Sequence, residues 1–156
     1  KFVVFSQFTS YIDIVKEVLE EELPEVTLLE LRGSMSSKQR RYALNTFKEE
    51  RGPMVFLVSL RAGGVGINLT SSCKAFMLDL WWNPAVEEQA MDRVHRIGQK
   101  RAVNIVRYYV ANSVEERILK LQADKKLFSK GAMQKVDPEE VRKVRLGILT
   151  ELFKLH

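Results

Sequence analysis

The chain of 156 residues has one cysteine, Cys73. A single thiol closes no internal disulfide and builds no multi-cysteine zinc site, and such usage fits a reducing compartment. Cys73 is therefore read as a packed residue, and no metal ligand set is expected. Proline is scarce too, with Pro24, Pro53 and Pro84 serving as punctuation between elements. No apolar run approaches the roughly 20 residues needed to span a bilayer, and the longest, around Val55 to Leu60, has the length of a buried strand. No membrane partner is expected. Internal repeats and low-complexity tracts are missing. So are an initiating methionine and a charged leader, because Lys1 runs straight into Phe2-Val3-Val4-Phe5, and the chain is expected to be a piece of something longer. Asn68-Leu69-Thr70 has the form of a glycosylation acceptor, but with no sign of secretion it is set aside.

What remains is a globular composition, 46% hydrophobic and 29% charged. A chain of this size buries roughly two-thirds of its unfolded surface, so one domain with a real core is the default. The net charge of +5 favours a polyanionic partner, since Lys and Arg facing phosphates displace condensed counterions. Charge alone does not choose among such partners.

Short strand-like runs alternate with helical stripes, the pattern of a parallel sheet flanked by helices, so an α/β layer fold is expected. Strands are predicted near Lys1 to Phe5, Thr27 to Leu31, Met54 to Ser59, Ala75 to Leu80 and Val103 to Val110. Tyr11, Val15, Val18 and Leu19 mark one helix. A second opens with the capping pair Ser36 and Gln39 and carries Ala43, Leu44 and Phe47. A third begins after Pro84, with Val86, Ala90, Val94 and Ile97 as its apolar stripe. Ser113 and Glu116 form a further capping pair ahead of Val114, Ile118, Leu121 and Phe128, and a last box-like start at Asp137 precedes Val141, Val144, Ile148, Leu152 and Leu155. The organisation expected is a lobe over residues 1–131 and a helical extension over 132–156 that packs on the lobe or its neighbour.

Three constellations could carry chemistry. Gln89, Arg93 and Arg96 fall at i, i+4 and i+7 and so line one stripe beside the apolar one. Two guanidiniums three residues apart can clamp a phosphate chain, while Asp92 pairing Arg96 on a solvated face would explain the same spacing. His95, with no metal-spaced neighbours, is assigned no catalysis. Ser59-Leu60-Arg61-Ala62-Gly63-Gly64-Val65-Gly66-Ile67-Asn68-Leu69 lies where a strand gives way to a helix, and its glycines let backbone amides approach an anion closely; as a bare pattern it is equally a turn. The spacing G-x-x-x-x-G-K-[ST] of a phosphate-cradling loop occurs nowhere, nor does an acidic D-E-x-H box for magnesium. Trp81 and Trp82 cannot both face inward from one strand.

Asp92-Arg93-Val94-His95-Arg96-Ile97-Gly98-Gln99 resembles motif VI of the Swi/Snf branch of superfamily-two helicases. The glycine-rich run resembles motif V, Asp79-Leu80-Trp81-Trp82-Asn83-Pro84 resembles the segment between the two, and Val3-Val4-Phe5-Ser6-Gln7-Phe8-Thr9 resembles motif IV. Asn112 to Lys126 matches the helix that follows motif VI, so the resemblance covers residues 1–131 in family order, nearest the branch of postreplication-repair translocases. Leu31-Arg32-Gly33-Ser34-Met35 departs from the family's Arg-Leu-Asp-Gly-Ser, with Glu30 in the arginine's place and Arg32 in the aspartate's, which leaves the role of Arg32 open.

The resemblance implies a RecA-like, three-layer second lobe of an ATP-driven double-stranded-DNA translocase acting in the nucleus. By it, Arg93 and Arg96 reach a nucleotide held with Mg2+ mainly by the first lobe, supported by Gln89, Gln99 and Gly66. Ser6, Gln7, Ser34, Lys38, Ser59, Gly63, Gly64, Asn68 and Trp82 face the DNA backbone, and Asp79 couples the two sites. Partners implied are the first lobe, duplex DNA read with low sequence specificity, and nucleosomes or repair factors. Without a phosphate cradle the lobe alone is expected to lack ATPase activity. Two rival readings stay in view: a DNA- or protein-binding module without catalysis, and an RNA helicase lobe. Gln99, where RNA helicases of the DEAD-box branch usually place arginine, and Trp82-Asn83-Pro84 weigh against the latter.

Overall fold

Val3-Val4-Phe5 and Val55-Phe56-Leu57-Val58 are apolar without alternation, the mark of strands covered on both faces. In the computed structural model, which describes residues 1–62, 66–131, 147 and 150, they form the middle of the sheet. The elements run β1 (Phe2–Ser6), α1 (Thr9–Glu22), β2 (Thr27–Leu31), α2 (Ser37–Glu49), β3 (Met54–Ser59), β4 (Lys74–Met77), α3 (Pro84–Val94), β5 (Asn104–Arg107) and α4 (Val114–Gly131). The sheet order is β2-β3-β1-β4-β5, and every neighbouring pair is parallel. Parallel neighbours require crossovers, and α1, α2 and α3 lie within them.

The two-residue period of the strands sorts their side chains into two cores. Val3, Phe5, Phe56, Val58 and Met77 pack with Ala43 and Phe47 of α2 and with Ala90 and Val94 of α3. Val4, Val55 and Leu57 pack with Ile12, Val15 and Leu19 of α1. The sheet is thus the middle of three layers. The Phe47 ring meets Phe56 at 5.0 Å between centroids. The chain divides into two compact units, Lys1–Trp81 with Ala85–Tyr108 and Trp82–Pro84 with Tyr109–His156. All five strands, α1 and α2 belong to the first, with α3 from Ala85 onward; α4 belongs to the second.

Several sequence expectations need correction. α1 buries Ile12 fully, while Tyr11 and Val18, expected on its apolar face, are 40% and 52% exposed. α3 ends at Val94, so Ile97 falls beyond the helix and is wholly exposed. β4 and β5 are shorter than predicted, stopping at Met77 and Arg107. The capping box of α2 forms as expected, with Ser36 Oγ accepting from Gln39 N–H and Gln39 Oε1 accepting from Ser36 N–H. At α4 Ser113 Oγ accepts from the Glu115 N–H at 3.1 Å, and the Glu115 carboxylate accepts from the Val110 N–H at 2.6 Å. The start expected at Asp137 lies outside the described residues.

Candidate nucleotide and DNA interface

In a parallel sheet all strands end on one edge, and open α/β sheets bind ligands there. Ser6, the end of β1, pairs in register with Ser59, the end of β3. Beyond β4 the chain reaches Asp79, whose carboxylate accepts from the Ser6 hydroxyl and from the Gln7 N–H at 3.0 and 3.2 Å. Asp79 is 5% exposed, and these donors compensate a charge that burial would otherwise penalise. They also fasten the first resembling segment to the third. Ser6, Gln7 and Ser59 are themselves buried, whereas Ser34, Lys38, Asn68 and Trp82 are exposed. Gly63 and Gly64 lie outside the described residues.

The segment after those glycines is stitched to the end of α3. Leu69 N–H donates to the Arg93 carbonyl at 2.9 Å, and Arg96 Nη1 donates to the Ile67 carbonyl at 3.3 Å. Gln99 Nε2 donates to the carbonyls of Ser72 and Thr70 at 2.7 and 3.1 Å. What brings Gln99 back is a turn closed by its own N–H on the Arg96 carbonyl, with Gly98 at φ 101° in the third position. That position suits glycine because side chains disfavour positive φ. Asn68 Oδ1 accepts from the N–H and hydroxyl of Thr70, an Asx turn that shapes the same segment. Gln89 is exposed on α3, and Gly66, also exposed, has φ 28°.

The two arginines differ. Arg96 is exposed, with one arm on Ile67. Arg93 is half-buried, and its Nε is buried with no hydrogen-bond partner among the described residues. A buried donor left unpaired is costly, so its retention calls for an acceptor supplied from elsewhere. Two guanidiniums are chemically suited to polyphosphate oxygens, while the chain's sequence contains neither a phosphate-cradling loop nor a D-E-x-H box.

Glu87 escaped the sequence reading. It is 1% exposed, accepts from the Trp81 N–H at 2.7 Å, and pairs with Arg107 Nη2 of β5 at 2.8 Å. It thereby fixes the start of α3 to the strand edge. Its signal was a carboxylate on the apolar face, three residues before Ala90 and seven before Val94. Arg32, whose role the sequence left open, forms an ion pair with Glu30 at 2.5 Å and another with Asp13 of α1 at 2.6 Å, while Lys16 meets Glu30 at 2.7 Å. The Arg32 hydrogen bond holds the Asp13 carboxyl below its usual range, and the Glu30 hydrogen bond raises Lys16. The exchanged pair thus fastens β2 to α1.

A five-stranded parallel sheet flanked by helices on both faces is the architecture of a RecA-like α/β lobe. Residues 1–98 match the family described as the helicase conserved C-terminal domain, and the chain belongs to that family, in its Swi/Snf branch. It is 47% identical over 152 residues to the DNA repair protein RAD5 of Gibberella zeae, an alignment covering 97% of this chain and 13% of that protein. RAD5B of Arabidopsis thaliana is 45% identical over 154 residues, 99% of this chain and 12% of the relative. The DNA repair protein rad8 of Schizosaccharomyces pombe is 45% identical over 133 residues, 85% of this chain and 12% of the relative. Among solved structures, the C-terminal part of the Fun30 ATPase domain superposes with a TM-score of 0.75 at 30% identity, covering 98% of this chain and 46% of that one. The chain thus spans about an eighth of the length of these curated relatives.

Proposed function

We propose that the chain is the second motor lobe of a nuclear, ATP-dependent double-stranded-DNA translocase, with residues 1–131 as the lobe and 132–156 as its helical extension. The observation that carries this reading is the buried Nε of Arg93, which has no hydrogen-bond partner among the described residues, together with the exposed guanidinium of Arg96, in a sequence without a phosphate-cradling loop. ATP with Mg2+, held mainly by the first lobe, supplies a phosphoryl group whose departure develops negative charge. Arg93 and Arg96 present fixed, always-protonated donors to that charge, which lowers the barrier without reorganisation. Gln99 and Gly66 shape the support beneath them, and Gln89 extends the same helical stripe.

On the DNA side, the exposed Ser34, Lys38, Asn68 and Trp82 contact the backbone, together with Gly63 and Gly64, and Ser6, Gln7 and Ser59, buried at the ends of β1 and β3, belong to the same set. Backbone gripping carries little sequence information, so selectivity is low. Asp79 ties Ser6 to the segment leading into α3, and the Leu69–Arg93 and Ile67–Arg96 hydrogen bonds tie the end of α3 to the glycine-rich segment, which supports coupling between nucleotide and DNA. Repair relatives at 45–47% identity favour a role in DNA repair, with nucleosomes or repair factors as partners. The test is Arg96→Ala in the full-length protein, with hydrolysis measured at saturating duplex DNA. A fall of about 10³-fold or more is expected, and retained turnover overturns the finger assignment.

A further inference from the structure

Beside the glycine-rich segment lies a cleft of about 500 Å³, walled on one side by α2. Along α2 its lining follows one helical face, with Ser37, Arg41, Leu44, Asn45 and Lys48 at i, i+4, i+7, i+8 and i+11. The opposite wall is Gly66, Ile67 and Asn68, and Leu31 at the end of β2 contributes to the floor. Leu31 is 1% and Ile67 7% exposed, so the floor is apolar, while Arg41 and Lys48 are exposed at the rim. A third cation, Arg40, is already engaged: its Nη2 donates to the Gly33 carbonyl at 2.6 Å and its Nε to the Met35 carbonyl at 3.1 Å. Arg41 and Lys48 enter no ion pair among the described residues.

We infer that this cleft is a second DNA-backbone subsite, in which Arg41 and Lys48 take phosphates of one strand and the apolar floor receives the backbone sugar between them. The inference rests on the proposed reading of the chain as a DNA-translocating lobe. Three observations carry it. The cleft has the size of a small-ligand site, and its apolar middle with cations at the rim complements a nucleotide unit flanked by phosphates. Two cations on one helical face, two turns apart, complement a chain of negative charges. The wall includes Asn68, a residue that the reading already assigns to the DNA backbone. An acidic peptide would satisfy the two cations equally, but it offers nothing of matching shape to the floor.

The experiment uses the full-length protein and a short duplex of mixed sequence. Binding is titrated against salt for wild type, for Arg41→Ala with Lys48→Ala, for Asn45→Glu, and for Lys74→Ala, which removes an exposed cation that does not line the cleft. Each phosphate that the protein no longer neutralises makes the slope of log K against log salt shallower by about 1. The double variant is therefore expected to lose about 2 from the slope and Lys74→Ala none. Asn45→Glu, which sets a carboxylate in the wall, is expected to weaken duplex binding about tenfold at low salt. Unchanged slope and affinity in both cleft variants, with wild type binding duplex normally, overturns the subsite and leaves the translocase reading standing. Absence of duplex binding in wild type instead overturns that reading, and the subsite with it. A polyglutamate peptide serves as competitor: peptide binding that the double variant loses, and that duplex DNA fails to displace from wild type, reassigns the cleft to acidic protein segments and overturns the proposal.

Discussion

At the scale of single residues the edge is held by buried charge. Glu87 is almost inaccessible, yet it carries a carboxylate between the Trp81 amide at 2.7 Å and the Arg107 guanidinium at 2.8 Å. Removing one partner of a buried pair leaves the other charged and undercompensated, which costs more than the pair itself contributes. Glu87→Ala is therefore expected to destabilise the fold by about 3 kcal/mol, read as a lower urea midpoint at unchanged slope. Glu87→Gln keeps an oxygen for the Trp81 N–H and is expected to cost distinctly less. Equal losses in the two variants would mean that packing, not the acceptor, holds the start of α3. Such a residue is hard to read from a chain because its meaning depends on Arg107, twenty positions away on another strand. Arg93 and Arg96, by contrast, could be singled out from the chain alone because their spacing and their setting lie within one short stretch of sequence.

At the scale of elements the end of α3 decides how the two resembling segments meet. The helix stops at Val94, and the turn through Gly98 returns Gln99 to the carbonyls of Thr70 and Ser72. Gly98 has φ 101°, so Gly98→Ala meets backbone strain whatever space surrounds it. A loss of about 1–2 kcal/mol is expected. The same variant is expected to speed hydrogen exchange at the Leu69 N–H, which donates to the Arg93 carbonyl. Unaltered exchange there would separate the turn from the stitch. The sequence anticipated β2 and β3 to the residue, because their apolar runs are bounded by Pro24, Gly33 and Pro53. It misjudged the faces of α1 and α3 for a common reason. Periodicity locates a stripe only if the helix extent is known, and Ile97 was counted on a helix that ends three residues earlier. On α1, Tyr11 and Val18 flank the true face of Ile12, Val15 and Leu19, and their hydrophobicity carried the stripe round the helix. The reach of Gln99 was invisible for another reason, since a side-chain amide bonding to backbone carbonyls leaves no pattern in residue type.

At the scale of the molecule the proposed reading makes the chain half a machine. Arg93 and Arg96 supply cations, but no phosphate-cradling loop occurs anywhere in the sequence. Positive groups alone attract a polyphosphate without orienting it, and hydrolysis depends on holding the departing group, its metal and the attacking water in line. The 156-residue chain by itself is therefore expected to turn over ATP no faster than a buffer blank, with or without duplex DNA. Joined to a first lobe that bears a G-K-[ST] loop and an acidic box, it should gain hydrolysis that duplex DNA stimulates more than single strands or RNA do. Turnover by the isolated chain would mean that a complete site lies within these residues, and the two-lobed reading would fail. Stimulation by RNA in preference to duplex would keep the two lobes and move the motor to the other branch. The comparison separates the arginines' role, which requires the second lobe's edge to face a nucleotide, from the DNA path, which requires only that the exposed side chains at the strand ends meet phosphates.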